Sequence, residues 1–265
     1  MIVIPFDPNL HLGPFALSWH GIFTAVGILF GVALPVRLLR GRVSEDAAYS
    51  VATWGVIGGI VGARAVHVID RWDFYAADPI QILMIWNGGI AVLGAVLGGV
   101  LAGAFVVIRR RLPLGGAADA AAPGIGLGLG IGRIGDIING EHHAVACAEG
   151  PWCVGYSHPD TLGQPGPVHS AVAYEMAWDL FGVGIALAGR RLLADGAPEG
   201  RIFWIWALHY AVGRVFIGFL RIGDPLSIFG LRQDQLIALG LALAALPMLA
   251  LLFVRARRQP RAQGA

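Results

Sequence analysis

Long apolar stretches alternate with short polar ones along nearly the whole chain. Each stretch approaches the roughly 20 apolar residues that a helix needs to cross a lipid bilayer. We predict seven such helices, at about 17–39, 47–69, 80–108, 117–135, 170–189, 202–220 and 234–254. The third is long enough to contain a turn at its start. The fourth is rich in glycine, which permits a broken or partly re-entrant segment as well as a continuous helix.

The composition supports a protein embedded in a membrane. Hydrophobic residues make up 56% of the 265 positions, charged residues make up 14%, and the mean hydropathy is +0.68. A water-soluble chain of this length needs more polar surface, and the same values exclude disorder and a disulfide-dense secreted scaffold. We therefore predict an all-α polytopic integral membrane protein with one domain, 1–265. Its start lacks a basic segment and a cleavage site, so we expect the first helix to be permanent.

The chain has 19 arginines and no lysine. Positive residues favour the cytoplasmic ends of membrane helices. Thirteen arginines lie in alternate connections or in the tail: Arg37, Arg40, Arg42, Arg109, Arg110, Arg111, Arg190, Arg191, Arg201, Arg255, Arg257, Arg258 and Arg261. The opposite side has Arg71, Arg221 and Arg232. This asymmetry predicts an N-terminus outside, a C-terminus inside and an exofacial loop at about 136–169. The net charge of +2 gives no nucleic-acid footprint.

Three further arginines, Arg64, Arg133 and Arg214, lie within or at the ends of predicted helices. A guanidinium inside a bilayer is costly, so each requires a partner. One interpretation is pairing with buried carboxylates, for which the candidates are Asp136, Glu141, Glu175 and Asp179. The other is a pocket for an anion, because the planar guanidinium fork suits phosphate. Their convergence toward the outer side favours a phospholipid headgroup over a soluble substrate.

The densest polar cluster follows the fourth predicted helix, in the stretch GRIGDIINGEHH at 132–143. This stretch resembles the GRIGNFINGE motif of the bacterial prolipoprotein diacylglyceryl transferase family. Four other segments resemble family segments and spread the similarity over most of the chain: GARAVHVI at 62–69, WNGGIAVLGAVLGG at 86–99, HSAVAYE at 169–175 and YAVGRVFIGFLR at 210–221.

The resemblance implies that the diacylglyceryl group of phosphatidylglycerol moves to the lipobox cysteine thiol of a prolipoprotein. Arginines would stabilise the departing phosphate and a base would accept the thiol proton. It implies no metal or cofactor, a bacterial cytoplasmic membrane, and a site toward the outer face. The implied catalytic residues are Arg133, Asn139, Glu141 and Arg214, with Asp136 as an ionic helper. The implied headgroup-binding residues are Arg64, Arg133, Arg214, Tyr174 and Glu175. The alternative for Tyr174 is an interfacial aromatic residue, and the alternative for Glu175 is a structural salt bridge.

The chain departs from the family pattern in its acid–base residues. The family's proposed base, a histidine, aligns with Leu93, a family tyrosine aligns with His20, and the motif asparagine becomes Asp136. We expect a relocated base, with four candidates: His20, His142, His143 and His169. Each has a structural alternative, as an interfacial anchor, a solvated loop residue or a helix cap. The departures also admit a catalytically silent lipid-binding relative, or a related membrane transferase with a different acceptor.

Both cysteines, Cys147 and Cys153, lie in the predicted exofacial loop. An oxidising compartment favours a disulfide between them, and two free thiols are the alternative.

Overall fold

The computed structural model describes residues 1–13, 15–85, 88–192, 198–223 and 228–258. These residues form eight α-helices and five short β-strands. The helices are α1 (Trp19–Leu38), α2 (Glu45–Asp70), α3 (Trp72–Ala77), α4 (Val92–Arg109), α5 (Leu114–Asn139), α6 (Ala171–Leu192), α7 (Arg201–Gly218) and α8 (Gln233–Arg258). Two residues used in the sequence-based assignments, Trp86 and Arg261, lie outside the described residues, as does the side chain of Leu93.

Five of the described helices are long and apolar enough to cross a membrane, namely α1, α2, α5, α6 and α8. Helices α4 and α7, each of 18 residues, occupy two further predicted spans. The third predicted span contains the turn expected at its start, since Pro79–Leu83 forms a separate 3₁₀ turn, and its helix α4 begins at Val92. The protein is a predominantly helical, multi-pass membrane protein.

Helix α5 is continuous over 26 residues, although it contains Pro123 and many glycines. Its glycines allow other helices to approach closely. A Cβ atom added at Gly128 would lie 3.1 Å from the carbonyl oxygen of Gly27 in α1, and one at Gly126 would lie 3.1 Å from Val183 in α6. Tertiary packing thus offsets the low helix propensity of glycine, and the broken or re-entrant alternative does not apply.

The chain divides into two compact units, of which the first comprises residues 1–34 and 118–265. Its helices α5, α6, α7 and α8 contribute to an apolar core that includes Ala122, Ala186 and Trp206. Asp119 in α5 accepts hydrogen bonds from the backbone N–H groups of Gly200 and Phe203, both at 2.8 Å, at the start of α7. This side chain satisfies free donors at the helix N-terminus and fixes α7 against α5.

Five strands were not predicted, and all of them belong to the first unit. Strand β1 (Ile2–Ile4) pairs in parallel with β4 (Cys153–Tyr156), which pairs antiparallel with β5 (Val168–His169). Strands β2 (Asn9–Leu12) and β3 (Phe15–Ser18) form a hairpin directly before α1. Single bridges continue the first sheet through 144–146 to residue 221. Part of the predicted exofacial loop therefore forms a small sheet, and single bridges connect it to residue 221, which follows α7.

The second unit, residues 35–117, contains α2, α3 and α4. Glycines line the contact between α2 and α4. A Cβ atom added at Gly98 would clash with the carbonyl oxygen of Gly58 and lie 2.9 Å from the Cα atom of Gly62. Small residues at this spacing bring two membrane helices into backbone contact.

Replacing Gly98 with alanine is expected to destabilise the α2–α4 contact by about 1–3 kcal/mol, because the added methyl group has no space. Thermal denaturation of the purified protein in detergent measures this change. The matched control is Gly103→Ala in the same helix, where an added Cβ atom would lie 3.8 Å from Val51. We expect that control to be neutral or to stabilise by up to about 1 kcal/mol. Equal melting temperatures for the two variants would contradict the close contact.

Candidate active site

Arg133, near the C-terminal end of α5, is held by two carboxylates. Its guanidinium lies 3.0 Å from Asp136, one helical turn further along α5, and 2.8 Å from Glu175 in α6. The side chain of Arg133 is 12% exposed, and those of both acids are 5% exposed. The i,i+3 spacing in α5 places Arg133 and Asp136 on the same helix face, toward α6.

Glu175 is the centre of a larger group of arginines. Besides Arg133 it pairs with Arg214 of α7, and it accepts a hydrogen bond from Arg221 at 3.3 Å. Arg214 in turn lies 2.9 Å from Asp234 at the start of α8. Three guanidinium groups from three parts of the chain therefore meet at one buried carboxylate.

The end of the GRIGDIINGE segment forms a second hydrogen-bonded group beside the first. Asn139 donates through Nδ2 to the hydroxyl of Ser18 at 2.8 Å and to the carboxylate of Glu141 at 3.0 Å. His20, in the first turn of α1, bonds to Asp136 through Nδ1 and lies 3.7 Å from Glu141. Asp136 contacts both His20 and Arg133, and so it joins the two groups.

His20, Asp136 and Glu141 have donor atoms within 4.8 Å of one another, a spacing that metal ligands share. Arg133, however, places a permanent positive charge on the same Asp136 carboxylate. That charge would repel a divalent cation and already neutralises the ligand. We therefore interpret these residues as a hydrogen-bonded ion network.

Arg221 is a functional candidate that the sequence did not reveal. It was assigned to an exofacial connection, but the structure buries it to 5% exposure beside Glu175. Its guanidinium also donates to Nδ1 of His142 at 2.6 Å. The backbone bridge between Ala144 and Arg221 holds this side chain at the site. A positive residue directly after a membrane helix gave no signal that distinguished it from a surface residue.

His142 follows the tight turn that ends α5, where Gly140 has φ 78° and His142 itself has φ 65°. Partial burial, together with the positive charges of Arg221 and Arg133, lowers the pKa of His142 to about 4. The imidazole is therefore neutral near pH 7. Because Nδ1 accepts from Arg221, the ring proton lies on Nε2, which points a donor into the site 3.9 Å from Asp136.

The lowered pKa of His142 predicts a pH dependence of stability. The unfolded chain binds this proton near pH 6.5 and the folded chain only near pH 4, so stability rises with pH across that window. We expect the wild-type protein to lose melting temperature as the pH falls from 6.5 to 4, and the His142→Gln variant to lose less. Parallel thermal scans at several pH values measure the difference. Identical slopes for the two proteins would contradict the assignment.

The remaining candidate side chains lie in the loop and the first turns of α6. His169 bonds to the hydroxyl of Tyr174 at 3.1 Å, and that hydroxyl donates to the carbonyl oxygen of Trp152 at 3.4 Å. His143 bonds to the carbonyl oxygen of Leu162 at 2.8 Å. These contacts order the loop, and the structure does not place them in the arginine group around Glu175. A disulfide joins Cys147 to Cys153 in the same loop.

Arg64, the third predicted membrane arginine, lies in the second unit and has a different environment. It donates to the carbonyl oxygens of five residues, Gln81, Ile82, Met84, Gly88 and Gly89. These bonds use all five N–H donors of a guanidinium. Among the described residues, the donors of Arg64 therefore bond to backbone carbonyl oxygens and not to a carboxylate, and they hold the 3₁₀ turn next to Gly88 and Gly89.

A small cavity opens between α5, α6 and α7 beside the arginine group. It is lined by charged and aromatic side chains: Arg133, Glu175, Trp178, Asp179, Tyr210 and Arg214. The guanidinium groups can stabilise an anion, and the nearby carboxylates and His20 can move protons. The arrangement suits displacement of an anionic leaving group at the end of a helix bundle.

Comparison with known proteins agrees with this chemistry. The family model described as prolipoprotein diacylglyceryl transferase matches residues 8–251. A phosphatidylglycerol–prolipoprotein diacylglyceryl transferase of Trichormus variabilis is 35% identical over 95% of this chain and 91% of its own length. Proteins of the same name from Nostoc sp. and Bacillus licheniformis are 36% and 33% identical, and the matches cover 90% and 92% of their lengths. The chain belongs to the prolipoprotein diacylglyceryl transferase family.

Proposed function

We propose that this protein transfers the diacylglyceryl group of phosphatidylglycerol to the lipobox cysteine thiol of a prolipoprotein. The observation that carries the proposal is the meeting of Arg133, Arg214 and Arg221 at Glu175. Each guanidinium has five N–H donors, and the ion pairs of Arg133 and Arg214 use only part of them. Further donors can bind the phosphate of the lipid while Glu175 holds the three groups in place.

In the proposed reaction, negative charge develops on the leaving phosphate next to these arginines. A cysteine thiolate attacks the glycerol carbon that carries the phosphate ester, and the carbon–oxygen bond breaks. Negative charge then develops on the departing glycerol phosphate. Guanidinium groups fixed in advance by buried carboxylates stabilise that charge without reorganising during the reaction. Asn139 and Glu141 orient the adjacent hydrogen bonds, and Tyr174 and His169 order the loop beside them.

We also propose that the chain crosses a bacterial cytoplasmic membrane seven times, with its N-terminus and the site at the outer face. Helices α4 and α7 supply the spans beyond the five longest. The excess of arginine in alternate connections supports this orientation. A single domain over 1–265 would then hold both substrates, the lipid and the prolipoprotein, at its outer end. Cysteines introduced singly at Arg40 and Asp160 and labelled from outside intact cells test it, with only the second expected to react.

Complementation tests the activity in cells. A bacterial strain depleted of its own transferase should regain lipoprotein modification and growth when it expresses this protein. Leu93, at the position that the family resemblance gives to a histidine, favours a second candidate, a catalytically silent lipid-binding relative. Failure to complement, with the protein present in the membrane, would support that second candidate. Modification of a different acceptor would support a transferase of another specificity.

A further inference from the structure

The hydrogen bond between His20 and Asp136 fixes the proton on one ring nitrogen. A carboxylate accepts hydrogen bonds, so Nδ1 of His20 carries the proton that it donates to Asp136. Nε2 therefore has a free lone pair whenever the ring is neutral. The side chain of His20 is 36% exposed and that of Asp136 is 5% exposed. The ring thus extends from a buried anchor to an accessible position, as a carboxylate-oriented histidine base does.

The other three candidate histidines have different partners. Within the part of the chain that the structure describes, none of the three forms a hydrogen bond with a buried carboxylate. His142 receives a hydrogen bond at Nδ1 from Arg221, which leaves the proton on Nε2 and no lone pair there. His143 donates to a backbone carbonyl oxygen on an exposed loop. His169 bonds to the neutral phenol of Tyr174. Hydrogen-bond geometry therefore selects His20.

The charges around His20 suit a ring that becomes positive during the reaction. Asp136 and Glu141 face it with two negative charges, and Arg133 faces it with one positive charge. Asp136 also contacts Arg133, so the base and the proposed phosphate site share one rigid carboxylate. A thiol that approached Nε2 of His20 would lie next to the arginine group.

We propose that Nε2 of His20 accepts the proton of the acceptor thiol and that Asp136 is the positioning residue; this rests on the proposed function. The proton passes from sulfur to Nε2, and the sulfur electron pair forms the new bond to the glycerol carbon. The carbon–oxygen bond breaks, and its electron pair leaves with glycerol phosphate. The imidazolium then returns the proton to the released phosphate, so the ring is neutral again.

The test compares the full-length wild-type protein with His20→Gln in proteoliposomes that contain phosphatidylglycerol and a synthetic lipobox peptide. A general base contributes about 10²-fold or more at pH 7, so His20→Gln should lose about that much of kcat. A cysteine thiol with a pKa near 8.5 is about 3% ionised at pH 7 and about 90% ionised at pH 9.5. The deficit of the variant should therefore shrink by more than about tenfold over that range, because free thiolate needs no base.

Asp136→Asn and the double variant separate positioning from structure. His20 and Asp136 act as one unit in accepting the proton, so the loss in the double variant should be smaller than the product of the two single losses. Any loss beyond that of His20→Gln reports the contact of Asp136 with Arg133. His11→Gln, an exposed histidine on β2, is the control and should match the wild type. A deficit of His20→Gln that stays constant from pH 7 to 9.5, or additive losses in the double variant, would overturn the proposal. If His20→Gln does not fold, the same pH series is measured on Asp136→Asn. A rate deficit relative to the wild type that shrinks from pH 7 to 9.5 would support the proposal, and a constant deficit would overturn it. A wild-type protein that transfers nothing would refute the proposed function itself.

Discussion

Replacing Arg133 with glutamine is expected to lower kcat about 10²–10³-fold, the cost of losing one preorganised donor to a developing anion. Arg133 contacts both Asp136 and Glu175, and so it lies between the proposed base and the other arginines. Glutamine keeps a polar head but loses the charge and the fork of donors. Because the phosphodiester carries one negative charge in the bound lipid and gains a second as it departs, kcat should fall more than KM rises. Steady-state rates of transfer to a lipobox peptide measure both parameters.

The control for Arg133→Gln comes from an exposed pair on the same chain. Arg40 and Glu45 lie 3.3 Å apart, and both side chains are 62% exposed. Arg40→Gln removes one arginine and one exposed ion pair, so kcat should remain within about twofold of the wild type. Equal rates for Arg133→Gln and the wild type would contradict the role of Arg133. A change confined to KM would assign it to ground-state binding.

Replacing Glu175 with glutamine is expected to destabilise the folded protein by about 3–5 kcal/mol, because it leaves buried guanidinium groups without their shared counter-charge. The side chain is 5% exposed and pairs with three arginines. Mutual repulsion among those arginines adds to the lost attraction. Thermal or denaturant unfolding in detergent measures the loss, and activity should fall with it as the arginines separate.

Glu45→Gln is the matched control for Glu175→Gln, since it is the same chemical change in the exposed Arg40–Glu45 pair. Exposed ion pairs contribute little, so the free energy of unfolding should change by less than about 1 kcal/mol. A Glu175→Gln variant as stable as Glu45→Gln would contradict the central position of Glu175.

The sequence predicted most of the residues that meet at the site. The GRIGDIINGE segment contains Arg133, Asp136, Asn139 and Glu141, and the fold brings all four together at the end of α5. These residues are neighbours in sequence, so helix periodicity and one turn suffice to place them near each other. The sequence permits Glu175 as a partner of a membrane arginine or as a headgroup ligand, and the structure shows it paired with arginines.

Other contacts depend on tertiary structure that a hydrophobic pattern does not encode. Arg221 and Ser18 join the site only because the loop sheet and the β2–β3 hairpin fold toward the end of α5. Those strands are two to four residues long, too short for an alternating pattern to distinguish them from loop. Arg64 was assigned to a headgroup, but a guanidinium can be satisfied by five backbone carbonyl oxygens as well as by an anion.

The extent of the helices also depends on both local sequence and tertiary contacts. The glycines of α5 weaken the local preference for helix, so the sequence alone is compatible with a broken segment as well as with a continuous helix. Contacts such as Gly27 with Gly128 decide in favour of a continuous helix, because they require a smooth glycine face. The late start of α4 at Val92 agrees with the Arg64 hydrogen bonds to the carbonyl oxygens of Gly88 and Gly89, which those two residues therefore do not offer to a helix.

The most direct test of the proposed transfer uses phosphatidylglycerol with ¹⁸O in the ester bridge between the diacylglycerol carbon and the phosphorus. The purified protein is incubated with this lipid and a lipobox peptide, and both products are examined by mass spectrometry. Attack of the thiolate on the glycerol carbon yields a peptide cysteine that carries diacylglyceryl through a thioether, and ¹⁸O in the released glycerol phosphate. An unmodified peptide, a peptide that carries phosphate, or ¹⁸O retained on the diacylglyceryl product would contradict it.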